Sequence, residues 1–207
     1  MEKILLIGAG ALACDIIEIF GASAFVAAYV DAPYARTDAV DGVPVCTDWR
    51  QAAQLATHYA MAVSAIDDRE RFISRAAGAG LEPASPLVSP FARIARRAKL
   101  SRGCVIGHFV VVGPAVRLDP NCLVMHNVMI GHDSVMENNV VLCQSACLGG
   151  YVRIGARSFV GSNAVLAPKV GVGSDSFIAA GAACLRDAPA NSQLIGNPAK
   201  RTTYSTA

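Results

Sequence analysis

The chain contains 207 residues with a mass of 21.5 kDa, enough for one large domain or two small ones. Apolar residues make up 53%, charged residues 16%, and the formal net charge is +2, which excludes a disordered or charge-driven polypeptide. No stretch of about 20 mostly apolar residues is present, so the sequence predicts no membrane span. The mean hydropathy of +0.40 therefore indicates extensive burial within protein.

The N-terminal segment begins with a buried-strand pattern and lacks the length and cleavage site of a signal peptide. We therefore expect a cytoplasmic protein. The seven cysteines are odd in number and contain no CxxC pair, which favours reduced thiols over a disulfide framework or a zinc cluster. We expect Cys104 and Cys122 to be inert packing residues.

The first part of the chain alternates strand and helix patterns. Apolar runs cover residues 3–8, 25–31 and 61–66, and a helical period covers residues 11–20. This alternation predicts a small parallel sheet with crossover helices in a first domain of residues 1–85. Between the second and third runs, residues 31–44 carry turn signals and are expected to be irregular.

Beyond Pro86, the sequence follows an unbroken period of six from Val88 to Ile178. Every sixth residue is aliphatic at sixteen consecutive positions: Val88, Ile94, Leu100, Ile106, Val112, Leu118, Val124, Ile130, Met136, Leu142, Leu148, Ile154, Val160, Leu166, Val172 and Ile178. The fourth residue after each is small or β-branched. Two inward positions in every six predict a hexapeptide-repeat β-helix in a second domain, residues 86–207.

Three sides of six residues close a coil of about 18 residues, and stacked coils bury each other's aliphatic side chains. The period leaves the hand of the coil open. Seven glycines follow aliphatic positions, and we expect them to relieve backbone strain at the bends. They are Gly107, Gly113, Gly131, Gly149, Gly155, Gly161 and Gly173.

The coil length turns sequence spacing into spatial neighbours. His108 and His126 are 18 residues apart and are expected to stack on one edge, a column that continues through Gln144, Ser162 and Ala180. A separate column contains His132, with Gly150 one coil above it and Pro168 next. All these positions point outward.

Several motifs then combine into a family resemblance. The chain opens with Gly8-Ala9-Gly10-Ala11-Leu12-Ala13, places Asp31 after the second strand, carries Ile130-Gly131-His132-Asp133 in the repeats and ends with Gly196-Asn197-Pro198-Ala199-Lys200. Over nearly its whole length it resembles the NeuD/PglD type of sugar acyltransferase. The resemblance implies an N-terminal Rossmann-like βαβαβ domain, a C-terminal left-handed parallel β-helix, and a homotrimer with active sites between neighbouring prisms.

The resemblance also implies acetyl transfer from acetyl-CoA, as co-substrate, to an amino or hydroxyl group of a sugar, often nucleotide-linked. His132 matches the catalytic general base, which takes the proton of the attacking acceptor. Asp133 matches the acidic neighbour that orients the imidazole. Gly150 matches the residue whose backbone N–H receives the developing oxyanion and contacts the acetyl donor.

Coenzyme A requires a groove with small side chains and a cation for phosphate. Ser162 and Ala180 are small and stacked, and Lys200, in the tail 195–201 that matches the CoA-covering segment, is expected to contact phosphate. The element Gly8, Ala9 and Gly10, which the resemblance assigns to the nucleotide-sugar, follows a strand and precedes a helix, as phosphate-binding turns do.

Asp31 is implied to lie near the nucleoside. The first unit lacks a second mononucleotide-binding half, so full NAD binding is not expected.

The chain departs from the family pattern at Ala11 and Leu12, where the family has glycine and histidine, and at Val141, where a second histidine is usual. Where the family has an aspartate preceded by glycine, this chain has Asp67 followed by Asp68.

Two other function classes remain open from the residues. One is a metal-dependent β-helix enzyme of the carbonic anhydrase type, which would use His108 and His126, although zinc needs a third ligand and we expect no metal. The other is a non-catalytic sugar-binding or assembly protein in which His132 is dispensable. The basic run Arg93, Arg96, Arg97, Lys99 and Arg102 is interpreted as a solvated face, so no nucleic-acid partner is expected.

Overall fold

The computed structural model describes residues 2–202 and contains two compact units, one ending at Leu87 and the other beginning at Val88. Met1 and residues 203–207, which the predicted domains include, lie outside the described residues. No described helix is both long and apolar enough to cross a membrane.

The first unit is a sheet with helices in the connections. Its strands are β1 (Ile4–Ile7), β2 (Phe25–Tyr29), β3 (Ala39–Val40), β4 (Val43–Cys46), β5 (His58–Met61) and β6 (Glu82–Pro83). Its helices are α1 (Ala11–Phe20), α2 (Trp49–Leu55) and α3 (Ile66–Gly78), with single 3-10 turns at Ala22–Ala24 and Ala32–Tyr34. The sheet order is β3-β4-β2-β1-β5-β6, and every pair except β3 with β4 is parallel.

The central strand β1 is buried along its whole length, as expected for a parallel strand covered on both faces. Its register with β5 pairs Ile4 with His58 and Ile7 with Met61. The third predicted strand, residues 61–66, is therefore wrong in position, because the observed strand β5 ends at Met61, where the predicted strand begins. Just beyond β5 the N–H of Ala62 donates to the carbonyl oxygen of Ile7, the last residue of β1, at 2.8 Å, and α3 begins at Ile66.

The second unit is a parallel β-helix of two-residue strands, one per side of the coil. The strands are β7 (Leu87–Val88), β8 (Arg93–Ile94), β9 (Lys99–Leu100), β10 (Val105–Ile106), β11 (Val111–Val112), β12 (Arg117–Leu118), β13 (Leu123–Val124), β14 (Met129–Ile130), β15 (Val135–Met136), β16 (Val141–Leu142), β17 (Cys147–Leu148), β18 (Arg153–Ile154), β19 (Phe159–Val160), β20 (Val165–Leu166), β21 (Gly171–Val172), β22 (Phe177–Ile178), β23 (Ala183–Cys184), β24 (Gln193–Ile195) and β25 (Lys200–Thr202).

These strands form three faces. The first face runs from β7 through β10, β13, β16, β19 and β22 to β24 and β25; the second contains β8, β11, β14, β17, β20 and β23; the third contains β9, β12, β15, β18 and β21. Up to β23, strand partners are 18 residues apart, as Met129 with Cys147 and Arg153 with Gly171 illustrate. The end of the first face differs, because β22 and β24 pair at an offset of 16 residues and β24 and β25 are antiparallel. The predicted period and coil length are therefore confirmed.

The core of the prism consists of the two inward positions of each repeat. From Ile106 to Ile178 every aliphatic position is at most 3% exposed, and the small positions from Cys104 to Ala182 are equally buried. Each such aliphatic contributes about 1.5–3 kcal/mol, but only when a neighbouring coil covers it. Stacking therefore stabilises the coils collectively.

The expected role of the seven glycines was wrong. None of them has a positive φ; the left-handed position lies two residues later, and residues such as Asn127, Asp133 and Asn163 occupy it. The glycines instead allow neighbouring coils to approach. A Cβ on Gly131 would lie 2.5 Å from the backbone nitrogen of Gly150 in the next coil. Asn and Asp, which tolerate the left-handed region, make several of the bends, and residues such as Phe109, Tyr151 and Arg157 make others.

Candidate functional site

One edge of the prism carries the predicted catalytic residues. Its turns stack at Pro114, His132, Gly150 and Pro168, which we call the His132 edge. The N–H of Tyr151 donates to the carbonyl oxygen of His132 at 2.8 Å, and the same bond recurs in the coils below and above. This ladder holds Gly150 in the coil directly above His132.

The imidazole of His132 lies at the surface, with 56% of its side chain exposed. Its Nδ1 lies 2.8 Å from Oδ2 of Asp133. Asp133 reaches the ring because its own backbone is left-handed, with φ of 57°. When Nδ1–H donates to this carboxylate, the neutral ring keeps its lone pair on Nε2, the form that accepts a proton.

Gly150 lies against Nε2 of His132. A Cβ built on Gly150 would lie 2.7 Å from that nitrogen, so any other residue would collide with the imidazole. Within residues 2–202, the N–H of Gly150 donates no hydrogen bond to protein. A residue with an unpaired N–H and an accessible imidazole nitrogen are thus adjacent, and such a pair is suited to binding a carbonyl oxygen and removing a proton.

Tyr151 belongs to this group and was missed by the sequence analysis. Its ring centroid lies 5.1 Å from that of His132, with an interplanar angle of 82°. Tyr151 is 50% exposed. The available signal was its position one residue after Gly150, which the 18-residue period places over Asp133.

A second edge carries Ser162 and Ala180. Its turns stack at His108, His126, Gln144, Ser162 and Ala180, which we call the His126 edge, and the Ser162 hydroxyl donates to Oε1 of Gln144 at 3.2 Å. The predicted stacking of these residues is present. Within one chain, however, the second face separates this edge from the His132 edge, so one prism does not bring the two groups of predicted residues together.

The two stacked histidines of the His126 edge use nitrogen atoms for structural hydrogen bonds. The backbone N–H of His108 donates to the ring nitrogen Nδ1 of His126 at 3.0 Å. The ring nitrogen Nδ1 of His108 lies 2.6 Å from the hydroxyl oxygen of Ser89. Within the described part of the chain, no group of three His, Cys, Asp or Glu side chains is placed to hold a metal ion. The donor set therefore lacks the third ligand that zinc chemistry requires.

Lys200 lies at the C-terminal end of the prism. The tail folds back onto the last coil, where the N–H of Ala199 donates to the carbonyl of Ala183 at 2.8 Å. A cavity of about 460 Å³ lies there, and its lining includes Arg186, Lys200 and Arg201. Three cations beside one cavity make a site suited to phosphate groups.

In the first unit, the glycine-containing turn follows β1. Gly8 has φ of 122°, and a Cβ there would lie 2.4 Å from the carbonyl oxygen of Ala62, so only glycine fits. Ala9 is half-buried, and Gly10 is exposed and precedes α1 as its N-cap, with no side-chain hydrogen bond. The N–H of Gly8 donates to the carbonyl of Tyr29 at 2.8 Å, which brings this turn beside the end of β2.

Asp31 follows β2 at the same edge, but it is a paired carboxylate. Oδ1 accepts hydrogen bonds from the Tyr29 hydroxyl at 2.6 Å and from Arg75 at 3.2 Å, and Oδ2 accepts from Arg71 at 2.8 Å. Burial opposes ionisation of this carboxyl, but hydrogen bonds from Tyr29, Arg71 and Arg75 outweigh it and hold its pKa below the usual range. The Arg75 guanidinium lies over the Trp49 ring at 4.6 Å.

Two other predicted features have no part in these sites. Cys104 and Cys122 are buried, and each thiol donates to a carbonyl oxygen, at 3.3 and 3.2 Å. Burial raises the pKa of Cys143 and of Cys184 to about 11, so both are unreactive thiols near neutral pH. The basic side chains of residues 93–102 are exposed.

Comparison with known proteins identifies relatives of the complete architecture. The family model described as the GMPPB C-terminal domain matches residues 84–186, slightly less than half of the chain. Comparison with curated proteins finds no significant match. A histidine-to-asparagine variant of perosamine N-acetyltransferase from Caulobacter crescentus, solved with CoA and GDP-perosamine, is 25% identical and has a TM-score of 0.89, covering 99% of this chain and 98% of its own.

Two further structures match over a similar extent. The acetyltransferase domain of PglB from Neisseria gonorrhoeae, in complex with acetyl coenzyme A, is 26% identical with a TM-score of 0.87, covering 97% of this chain and 99% of that one. The chain has the architecture of the hexapeptide-repeat sugar acyltransferases. WeeI from Acinetobacter baumannii, 19% identical with a TM-score of 0.86 over 98% of this chain and 100% of its own, shares the fold. The resemblance stated from the sequence is confirmed.

Within this architecture, the structure places the residues at which the sequence departs from the family pattern. Val141, where the family has its second histidine, is fully buried. Ala11 and Leu12 begin α1, directly after the glycine-containing turn. Asp68 lies in the first turn of α3 and pairs with Arg71 at 2.9 Å. The chain thus offers a single surface histidine beside Gly150, with no second imidazole from position 141.

Proposed function

We propose that the chain is an acetyl-CoA-dependent acetyltransferase that modifies an amino or hydroxyl group of a nucleotide-linked sugar. The observation that carries the proposal is the group formed by His132, Asp133 and Gly150. A carboxylate lies 2.8 Å from Nδ1 of the imidazole, and Gly150, whose backbone N–H has no protein acceptor in the described chain, lies against Nε2. The similarity to an N-acetyltransferase crystallised with CoA and GDP-perosamine supports both substrate classes.

The proposed reaction uses His132 as general base. The acceptor nitrogen or oxygen attacks the thioester carbonyl carbon of acetyl-CoA while Nε2 takes its proton, and the N–H of Gly150 binds the oxyanion that forms. Asp133 orients the ring and stabilises the imidazolium. When the C–S bond breaks, the imidazolium returns the proton to the CoA thiolate, so no covalent intermediate with the protein is needed.

We place the acetyl-CoA along small, stacked residues and at the C-terminal cavity. Gly150 binds at the thioester, Ser162 and Ala180 leave room for the pantetheine arm, and Lys200 contacts phosphate. The proximity of Arg186 and Arg201 to Lys200 around one cavity supports this assignment, because CoA carries several negative charges in its nucleotide part.

We propose a homotrimer in which sites form between copies. Within one prism the His132 edge and the His126 edge are separate, so a reaction that uses both needs two copies. The second face, which separates them, exposes Val111, Met129 and Val165, each at least 41% exposed. An apolar stripe of this kind is typical of a surface that packs against another chain.

The remaining parts of the proposal concern the two domains. We propose that residues 1–85 form a Rossmann-like domain that binds the acceptor at the edge carrying Gly8, Ala9, Gly10 and Asp31, and that residues 86–207 form a left-handed β-helix that performs the transfer. Location of all four residues at the carboxyl ends of adjacent parallel strands supports the first assignment, because open α/β sheets bind ligands there.

The experiment compares wild type with His132→Ala in release of free CoA thiol from acetyl-CoA, across a panel of amino-sugar nucleotides. We expect an acetylated sugar about 42 mass units heavier, a loss of at least about a hundredfold in kcat for the variant, and unchanged binding of acetyl-CoA measured by calorimetry.

His108→Gln and His126→Gln serve as controls that also test the metal alternative. We expect both to keep activity, and a chelator to have no effect. Wild-type turnover in His132→Ala, or loss of activity in the two control variants with zinc bound stoichiometrically, contradicts the proposal.

A further inference from the structure

The aromatic ring of Tyr151 lies perpendicular to the imidazole of His132, with centroids 5.1 Å apart and an interplanar angle of 82°. We propose that Tyr151 is a positioning residue: its ring closes one side of the imidazole and keeps Nε2 beneath Gly150. This inference rests on the proposed function, since it concerns the orientation of the base in that reaction. Neither the repeat pattern nor the proposed mechanism requires an aromatic residue here.

The imidazole needs such a restraint because the core does not supply one. The His132 side chain is 56% exposed, and its hydrogen bond to Asp133, itself 42% exposed, is a single point of attachment at Nδ1. Rotation about χ2 of histidine has broad energy wells. An imidazole held only by the hydrogen bond at Nδ1 can still rotate, and this rotation moves Nε2 away from Gly150.

Tyr151 is well placed to limit this rotation. Its N–H bonds to the carbonyl oxygen of His132 at 2.8 Å, so the two backbones are tied together across adjacent coils. Perpendicular aromatic pairs are favourable at this separation. Asp133 and Tyr151 therefore restrain the imidazole from two directions.

The molecule contains a matched pair of aromatic positions for the test. Phe109 occupies the same turn position on the His126 edge, with φ of 58° against 61° for Tyr151, and its ring lies 5.9 Å from His108. Phe109 is 59% exposed. Asparagine occupies the equivalent position at residues 127, 139 and 163, so a change to asparagine suits the backbone at both sites.

The experiment measures steady-state kinetics of Tyr151→Asn, Tyr151→Phe and Phe109→Asn. We expect kcat of Tyr151→Asn to fall about tenfold, in line with the strength of an aromatic pair, while KM for acetyl-CoA changes less than about twofold. Tyr151→Phe keeps the ring and should retain at least half of wild-type kcat. Phe109→Asn should match wild type.

A spectroscopic readout separates this inference from the proposed function. In NMR spectra of ring-labelled protein, the carbon-bound protons of His132, assigned by their absence from His132→Ala, should lose the ring-current shift of Tyr151 in Tyr151→Asn and retain it in Tyr151→Phe. Unchanged His132 signals or wild-type kcat in Tyr151→Asn, or an equal loss of kcat in Tyr151→Phe, overturns the positioning role. Full turnover in His132→Ala instead overturns the proposed base.

Discussion

His132 illustrates how a surface residue acquires a defined geometry. Most exposed side chains sample several rotamers, but this imidazole has Asp133 at Nδ1, Gly150 against Nε2 and Tyr151 beside the ring. Two of these neighbours come from the next coil. The stacking of coils, rather than burial, therefore positions the candidate base.

At the residue scale, we predict that Gly150→Ala abolishes acetyl transfer without unfolding the protein. The added methyl would lie 2.7 Å from Nε2 and push the imidazole, which lies at the surface, out toward solvent. We expect kcat to fall at least about a hundredfold, the contribution of a positioned base, with a thermal midpoint within a few degrees of wild type.

Gly171→Ala is the matched control for that variant. It lies in the same prism, where a Cβ would make only an ordinary contact of 3.7 Å with Asp187. It should retain activity and stability. If Gly150→Ala turns over at the wild-type rate, the imidazole does not act from the position seen here.

At the scale of the repeat, two positions divide the work of each bend. The residue after the aliphatic one lies against the backbone of the next coil, whereas the residue two places later adopts the left-handed conformation. Where glycine occupies the first position, its lack of a Cβ allows the next coil to approach closely. The second position is often asparagine or aspartate, whose short polar side chains tolerate positive φ, although Phe109 and Tyr151 also adopt it.

We therefore predict opposite outcomes for Gly155→Ala and Asn163→Gly. A Cβ on Gly155 would lie 2.3 Å from the backbone nitrogen of Ser174, so this substitution should reduce the free energy of unfolding by about 1–3 kcal/mol. Asn163, with φ of 57°, should accept glycine with a change below about 0.5 kcal/mol. Urea unfolding followed by circular dichroism measures both, and equal losses would contradict this division.

The edge of the N-terminal sheet yields a prediction about pH. The pKa of Asp31 is depressed in the folded state, so its contribution to stability is present above the unfolded pKa and is lost as pH falls through the lower folded value. Asp31→Asn should reduce the free energy of unfolding by about 1 kcal/mol at pH 7, an amount limited by solvent screening of the half-exposed Arg71.

This difference between wild type and Asp31→Asn should shrink as the pH falls below about 3.9, the unfolded value, and should vanish once Asp31 is protonated in the folded state. Trp49, the single tryptophan, lies in this unit beside Arg75, so its fluorescence reports urea unfolding of the correct region. Asp38→Asn, which changes an exposed carboxyl group of the same unit, is the control. A destabilisation that persists unchanged at pH 3 would show that the ion pairs of Asp31 are not its source.

At the scale of the whole molecule, the His132 edge and the His126 edge lie apart within one prism, so the proposed site requires assembly with another copy. The residues proposed for catalysis and those proposed for the pantetheine arm lie on different edges of one prism, and the exposed apolar side chains of the second face lie between them. A second copy packed on that face would bring unlike edges together.

We predict that Met129→Glu prevents assembly and transfer together. Met129 is 52% exposed in the apolar stripe of the second face, and a carboxylate there could not be buried against another chain without a large cost. The mass measured by light scattering should fall from three times 21.5 kDa to that of a single copy. The value of kcat should be at least about tenfold lower. Lys99→Glu on the third face should remain trimeric; an active monomeric Met129→Glu would contradict the shared site.

Much of this architecture could be predicted from the sequence because the period of six is uninterrupted. One register predicted the core positions, the coil length, and the stacking of Gly150 over His132 without any knowledge of contacts. Tyr151 and the pairing of Asp31 could not be found in this way. A ring contact depends on rotamers, and the arginines that reach Asp31 come from α3, about 40 residues later in the chain.

The amino-acid order alone determined the β-helix, because each repeat has to bury the same two side chains and only an identical coil can cover them. The tertiary structure decided which nitrogen of His132 faces Gly150, where the strands of the first unit end, and why glycine follows seven of the sixteen aliphatic positions. These depend on distances of a few ångströms between backbones that are remote in sequence, and no local pattern encodes such distances.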